Sequence, residues 1–301
     1  MSYNEYCFDE TLIPNDLKEL KNLYKQYRDF TLELYFKIMN SEKAKQESPI
    51  NIVIGSSLKE FIELLDGMYI LSNNFSTKNI MLLTRKLFEL YLQIAFILVG
   101  NNDEKKALIF VLKNIQINKL NNWDDFCDNF RNSVNGYLGM TNIDVQECIK
   151  LITKIRTYNW YTVYDKKIKH LDQLAEEVDK YMDKNIFSEQ SNKIFYDTIY
   201  NSLSREAHAN AGIKDVITIN ETNILIPFRN PIDCSVNFSI CTVCMSFLTI
   251  LLINYYSVDK ETFDKFINIY QPNNISIISN ADRILKNSFY VEQKNKKVQK
   301  I

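Results

Sequence analysis

From Val236 to Tyr256 the chain runs through 21 residues without a charge. A stretch of that length and character has two homes, the hydrocarbon of a bilayer or the middle of a protein core. Six polar side chains interrupt it, Asn237, Ser239, Thr242, Ser246, Thr249 and Asn254, and no basic cluster flanks it to set a membrane orientation. The run therefore reads as a buried helix opened by Pro231, and no membrane contact is expected of it. The rest of the fold must then be built around it.

Other helices have to surround such an element, and the punctuation of the chain agrees. Six Gly and five Pro in 301 residues leave too few turn formers for many short strands, so an all-β fold is excluded. Apolar residues recur at steps of three and four from Asn15 to Ala44, a second helix runs from Ile52 to Ser72 after a break at Ser48-Pro49, and a third runs from Lys78 to Val99. Ser76 or Thr77 caps the third at its start and Gly100 stops it. It is apolar on nearly all sides, which puts it in the middle of the bundle. Shorter helices are expected over Asp103 to Ile115, around Trp123 to Phe130 and over Asp144 to Ile155. After an interruption at Tyr158 to Tyr161, further helices are expected over Ile168 to Met182, Ser191 to Ala209, Lys260 to Ile269 and Ala281 to Leu285. Between Gly212 and Pro231 the apolar period changes to two, with Ile217, Ile219, Ile224, Ile226 and Phe228 about a polar turn. The expected fold is all-α, a multi-helix bundle with one small β-hairpin near residues 214–228. Its main domain spans 50–288, an N-terminal helix within 1–49 packs on it, and 289–301 is a polar tail.

Lysine and arginine number 36 against 37 aspartate and glutamate, so no global field draws the protein to nucleic acid or anionic lipid. Any such contact has to be local. The first residues lack a basic stretch leading into an apolar one, which places the chain in the cytoplasm and keeps its six cysteines as free thiols. Cys241-x-x-Cys244, with Cys234 upstream, has half the pattern of a zinc or redox site, but no second pair stands at zinc spacing. Neither a metal nor a cofactor is expected. No glycine-rich phosphate loop occurs.

Polar chemistry concentrates on two helices. Tyr200, Ser204 and His208 are spaced by four, which aligns two hydroxyls and an imidazole along one face of an α-helix. His208 suits proton transfer near neutral pH, with Ser204 as its orienting group or as a nucleophile; the competing reading has a half-buried histidine locking the helix in register. Arg85 and Glu89 lie one turn apart in the apolar third helix. Charges turned toward a core need partners, so they must pair with each other or with polar groups of another helix, as a site or as a structural ion pair. A histidine and hydroxyl face elsewhere in the chain offers such partners. Trp160 and Tyr161 are candidates to line a ligand pocket beside them.

Four landmarks occur in order: Arg85-x-x-x-Glu89, Asn159-Trp160-Tyr161, Leu174-Ala-Glu-Glu177 and Tyr200-x-x-x-Ser204-x-x-x-His208. Together, over about residues 50 to 260, they resemble an uncharacterised family of bacterial helical proteins, a domain of unknown function. Arg205 with His208 is distantly similar to the arginine and histidine pair of the higher eukaryote and prokaryote nucleotide-binding (HEPN) ribonucleases. The spacing here is shorter than theirs. The resemblance implies a helical fold with a shared polar seam, and a setting among mobile or defence-related bacterial genes. The expectation is an effector-like protein, a toxin or antiviral component acting on RNA or a nucleotide as a metal-independent ribonuclease or hydrolase. Its seam is Arg85, Glu89, Tyr200, Ser204 and His208, with Trp160, Tyr161 and Arg205 touching the ligand. The alternative is a binding or regulatory module, with a homodimer or a partner protein as its counterpart.

Overall fold

A computed structural model describes residues 17–46, 48–73, 76–117, 154, 158–181, 192–200, 216–219, 222–225 and 231–270. The first four helices are α1 (Leu17–Met39), α2 (Pro49–Ser72), α3 (Thr77–Leu98) and α4 (Asp103–Ile117). Two shorter ones come after them, α5 (Trp160–Tyr164) and α6 (Leu171–Asp179). Next come α7 (Asn192–Phe195), which runs on into a π-helical turn at Tyr196–Tyr200, and the strands β1 (Val216–Ile219) and β2 (Thr222–Leu225). Helices α8 (Pro231–Tyr256) and α9 (Lys260–Tyr270) close the described chain. The two strands pair antiparallel, Val216 opposite Leu225 and Ile219 opposite Thr222, as the alternating pattern there requires. The helices expected around residues 123–130 and 281–285, and all but residue 154 of the one over 144–155, lie outside the described residues, as does the polar tail.

Helix α8 carries the uncharged run, and it lies against α3 and α1. Phe238, Cys241, Cys244, Met245, Leu248, Leu252 and Ile253 are all buried. Thr242, Ser246 and Thr249 are buried with them. Ser246 donates to the carbonyl of Thr242 at 2.7 Å, so a hydroxyl inside the core finds its acceptor on its own helix. Among the described residues no helix is long and apolar enough to cross a membrane. Helix α3 also packs on α2, α4 and α6, so it is the central element, and α1 joins the same core through Tyr24, Tyr27, Phe30, Leu34 and Ile38. The buried Tyr24 hydroxyl donates to the Leu65 carbonyl at 2.9 Å, which ties α1 to α2 without leaving a polar group stranded.

Connections differ from the sequence reading in two places. Ser48-Pro49 is the start of α2 rather than a break before it. Ser48 accepts from the Asn51 amide and Pro49 takes the first turn, where its missing N–H is harmless. Tyr158 to Tyr161 holds the beginning of α5, a helix too short for its periodicity to show. The end of α3 matches expectation, since Gly100 adopts a φ of 72°. A Cβ at Gly100 would also come within 2.9 Å of the Tyr181 ring.

Lys106, on α4, supplies the donors that the end of α3 lacks. Its side chain is buried, and Nζ donates to the carbonyls of Phe96 at 2.8 Å and Val99 at 2.5 Å. The same ammonium lies 4.6 Å from the Phe96 ring centroid. A cation at the negative end of a helix dipole, against an aromatic face, is favourably placed. Burial nevertheless lowers its pKa to about 8.

Candidate functional site

Arg85 and Glu89 sit on the α3 face that meets α6 and the π-helical turn. The spacing of four puts them one above the other, and Arg85 Nε donates to Glu89 Oε1 at 3.0 Å. They do not face the core as expected: their side chains remain 24% and 31% exposed. Leu87, Phe88, Tyr91 and Leu92 take the inward side of α3, and the charged pair is left at its edge.

The third member comes from far along the chain. Tyr200 donates its hydroxyl to Glu89 Oε1 and accepts from Arg85 Nε at 3.3 Å. The Arg85 guanidinium carbon lies 5.3 Å from the centre of the Tyr200 ring. Burial, and then the neighbouring Glu89 carboxylate, push the Tyr200 hydroxyl well above its ordinary pKa, so it stays protonated and acts as a donor. The expected partnership of Arg85 and Glu89 with the Tyr200 helix is present in the structure. Ser204, Arg205 and His208 lie outside the described residues.

Residues Tyr196–Tyr200 wind as a π-helix, not as the continuous α-helix that the spacing of four suggests. Here the Tyr196 and Tyr200 rings stack at 4.8 Å and 19°. Phe88 supports Tyr200 from the core, with ring centroids 5.8 Å apart. The start of the turn is anchored by Asp179 at the end of α6, which accepts from the backbone amides of Asn192 at 2.8 Å and Lys193 at 3.0 Å. Tyr91 of α3 donates to Asn192 Oδ1 at 3.0 Å. Helices α3, α6 and α7 thus converge on Tyr200.

The two aromatic candidates divide. Tyr161 borders the network: burial and then the charge of Glu89 push its hydroxyl up to about 12. Trp160 is only 5% exposed and packs against Phe96 and Phe110 at 5.6 and 5.3 Å, with Nε1 donating to Gln93 at 3.2 Å. It wedges α5 between α3 and α4 and presents no open face to a ligand.

Sequence reasoning missed Tyr196, Lys193 and the acids around them. Lys193 contacts Asp197 at 2.8 Å and Asp172 and Glu176 at 3.9 Å. Its Nζ lies 5.7 Å from the Tyr196 ring centre. Tyr196-x-x-x-Tyr200 carried a signal of the same spacing as the triad that was read, one turn earlier. The acids read as solvent-facing charges and carried none. Cys241 packs in the core, its Sγ 3.5 Å from Met68 Sδ and 3.9 Å from Thr84 Oγ1, and burial pushes its thiol up to about 12. It behaves as a small apolar residue. Among the described residues no three His, Cys, Asp or Glu side chains gather as a metal site would require.

Arg85 uses only Nε in this network. Among the described residues, its two Nη nitrogens have no hydrogen-bond partner, although the side chain is partly exposed. A guanidinium fixed at one edge with its other edge open is prepared to bind an oxyanion through paired hydrogen bonds.

Replacing Tyr200 by Phe removes the hydroxyl and keeps the ring stack. The expected loss of stability is about 1 kcal/mol, because the two charged partners are partly solvated and keep their own pair. Urea unfolding of the variant checks this. A loss several times larger would mean that the hydroxyl, and not the ring, holds the turn to α3.

One family model, that of a family of unknown function (DUF5677), matches residues 51–224, a span that runs from the third residue of α2 through α7 and includes Arg85, Glu89 and Tyr200. No curated protein and no solved structure matches the chain.

Proposed function

The chain belongs to this family of unknown function, and from the chemistry of its own residues we propose an effector-like helical protein, a toxin or antiviral component acting on RNA or a nucleotide. The observation that carries the reading is that, among the described residues, the Nη nitrogens of Arg85 have no hydrogen-bond partner on a side chain 24% exposed, while Glu89 and Tyr200 fix Nε. In this reading Arg85 binds a phosphate and stabilises charge that develops on it. Glu89 and Tyr200 orient Arg85, and Tyr161 borders the ligand. His208 moves the proton, Ser204 positions substrate or attacks it, and Arg205 adds a second contact to phosphate. The reaction is a metal-independent cleavage or hydrolysis, carried out in the cytoplasm.

A second reading is a binding or regulatory module, favoured by the charge surrounding the triad. Two cations, Arg85 and Lys193, face four carboxylates, Glu89, Asp172, Glu176 and Asp197. Such a network can be complete in itself.

Wild type, Arg85→Ala and His208→Ala separate the two when growth inhibition, RNA integrity and melting temperature are measured together. The enzymatic reading expects RNA loss with wild type, at least about a hundredfold less with either variant, and melting within a few degrees of wild type for both. A wild type that leaves RNA and nucleotides untouched, with variants that melt early, would establish the structural network instead.

A further inference from the structure

The proposed reading leaves open which phosphate Arg85 would hold, and the residues around it discriminate. A protein that tracks an RNA backbone needs a row of cations, since each phosphate of the chain carries a charge. The triad has no such row among the described residues. The charges of Asp172, Lys193, Asp197 and Arg85 all act on the Tyr196 hydroxyl, so the acids gathered on Lys193 lie near the Arg85 triad. Lys193 is already engaged by three carboxylates, and Glu89 compensates Arg85. A run of internal phosphodiesters crossing this region would meet Asp172, Glu176 and Asp197 at close range, and like charges brought together without intervening cations repel.

One phosphate group at the end of a ligand avoids that penalty. It can approach the Nη edge of Arg85 from solvent and take two parallel N–H···O bonds. It leaves the rest of the ligand free to turn away from the acids. Near enough to Arg85 to feel its charge lies a partly exposed aromatic ring, Tyr196, stacked on Tyr200 at 4.8 Å and with the Lys193 ammonium 5.7 Å from its centre. A ring held in that way gives a base something to stack on without reading its identity.

We infer that this site recognises a terminal phosphomonoester next to a nucleobase, held by the Nη edge of Arg85 and the ring of Tyr196, and rejects internal phosphodiesters. The inference rests on the reading of Arg85 as a phosphate-binding residue. The shared chemistry belongs equally to a free mononucleotide and to the phosphorylated end of a single strand.

Binding to the full chain tests it, with three forms of one short single-stranded oligoribonucleotide, 5′-phosphorylated, 3′-phosphorylated and unphosphorylated, alongside adenosine 5′-monophosphate and adenosine. At least one phosphorylated strand, or the monophosphate, should bind about tenfold or more tightly than its unphosphorylated counterpart, the worth of one charge-assisted pair. Preference for the strand over the monophosphate, or the reverse, identifies the source. Arg85→Lys keeps the charge but not the fork and should abolish the preference while melting near wild type. Asp172→Asn combined with Glu176→Gln should raise the affinity of the unphosphorylated strand and narrow the difference. If phosphorylated and unphosphorylated strands bind alike, with affinity falling steeply in salt, the inference is overturned and an RNA-directed function stands. If neither strand nor mononucleotide binds, the phosphate-binding reading of Arg85 falls with it.

Discussion

Trp160→Ala should unfold at a temperature about 10 °C below wild type. The indole is buried between the rings of Phe96 and Phe110, and its N–H is satisfied by Gln93. Truncation removes a large aromatic surface and leaves a hole that α3 and α4 cannot close without moving α5. Losses of this type are about 3–5 kcal/mol. In a chain this long each kcal/mol moves the midpoint by about 2–4 °C. Trp160→Phe keeps most of the volume and gives up one hydrogen bond, so its loss should be about a third as large. Calorimetry on the three proteins decides the role of this residue. An alanine variant that melted within two degrees of wild type would return Trp160 to the lining of a pocket.

Lys106→Met should destabilise by about 2 kcal/mol at neutral pH and should also change how stability responds to alkali. Methionine fills similar space but leaves the carbonyls of Phe96 and Val99 without the donor that α4 brings them. Relief from burying an ammonium offsets part of that loss. The folded protein releases the Lys106 proton near pH 8, whereas an unfolded lysine keeps it to about 10.4. Between those values the unfolded chain holds a proton on this lysine that the folded one has lost, so its contribution to wild-type stability rises with pH. The neutral amine still has two N–H groups for two carbonyls. Buried thiols and phenols act with the opposite sign: Cys241 and Cys244, raised by burial, keep protons that unfolded cysteines release from about pH 8.5, and the tyrosines follow near 10. Tyr24, Tyr91, Tyr200, Tyr255 and Tyr256 are all held above their ordinary values, chiefly by burial, and the unfolded chain loses protons that the folded one retains. Denaturant titrations from pH 7 to 11 should therefore show wild-type stability nearly level to about pH 8.5 and falling beyond it. The variant, without the offsetting lysine, should begin to fall earlier and more steeply between about pH 8 and 10, and an unchanged profile would mean that Lys106 supplies no offset.

The long helices were legible because each joins a strong period to a chemical signal at its end. Helix α3 begins after Ser76, although that serine makes no side-chain capping bond, and it stops at Gly100, whose positive φ is a local signal. Helix α8 was legible from the absence of charge alone. What escaped was information carried by other parts of the chain. Lys106 lies in a helix with four other charged residues, Asp103, Glu104, Lys105 and Lys113, and nothing in Asp103–Ile117 distinguishes it until the end of α3 is laid beside it. Proline at the start of α2 reads as a breaker unless the serine before it is seen to cap. For the site, a charged pair on an apolar helix announced that a partner was required, and Tyr200 was among the residues named. The depth was misjudged, because a helix that is apolar overall still has an edge. Trp160 was misassigned because an aromatic residue between helices has the same signature whether it packs or binds.

The π-helical turn makes the network depend on the number of residues before Tyr200 as much as on their identity. Each residue added to or removed from a helix rotates the remainder of that helix by about 100°, enough to swing a side chain from one neighbour to the next. Between the Asp179 anchor on Asn192 and Lys193 and the hydroxyl of Tyr200, substitutions at outward positions leave this phase intact, whereas a single insertion or deletion does not. Among relatives of this chain, the segment from Asn192 to Tyr200 is therefore where variation in sequence should be tolerated and variation in length should not.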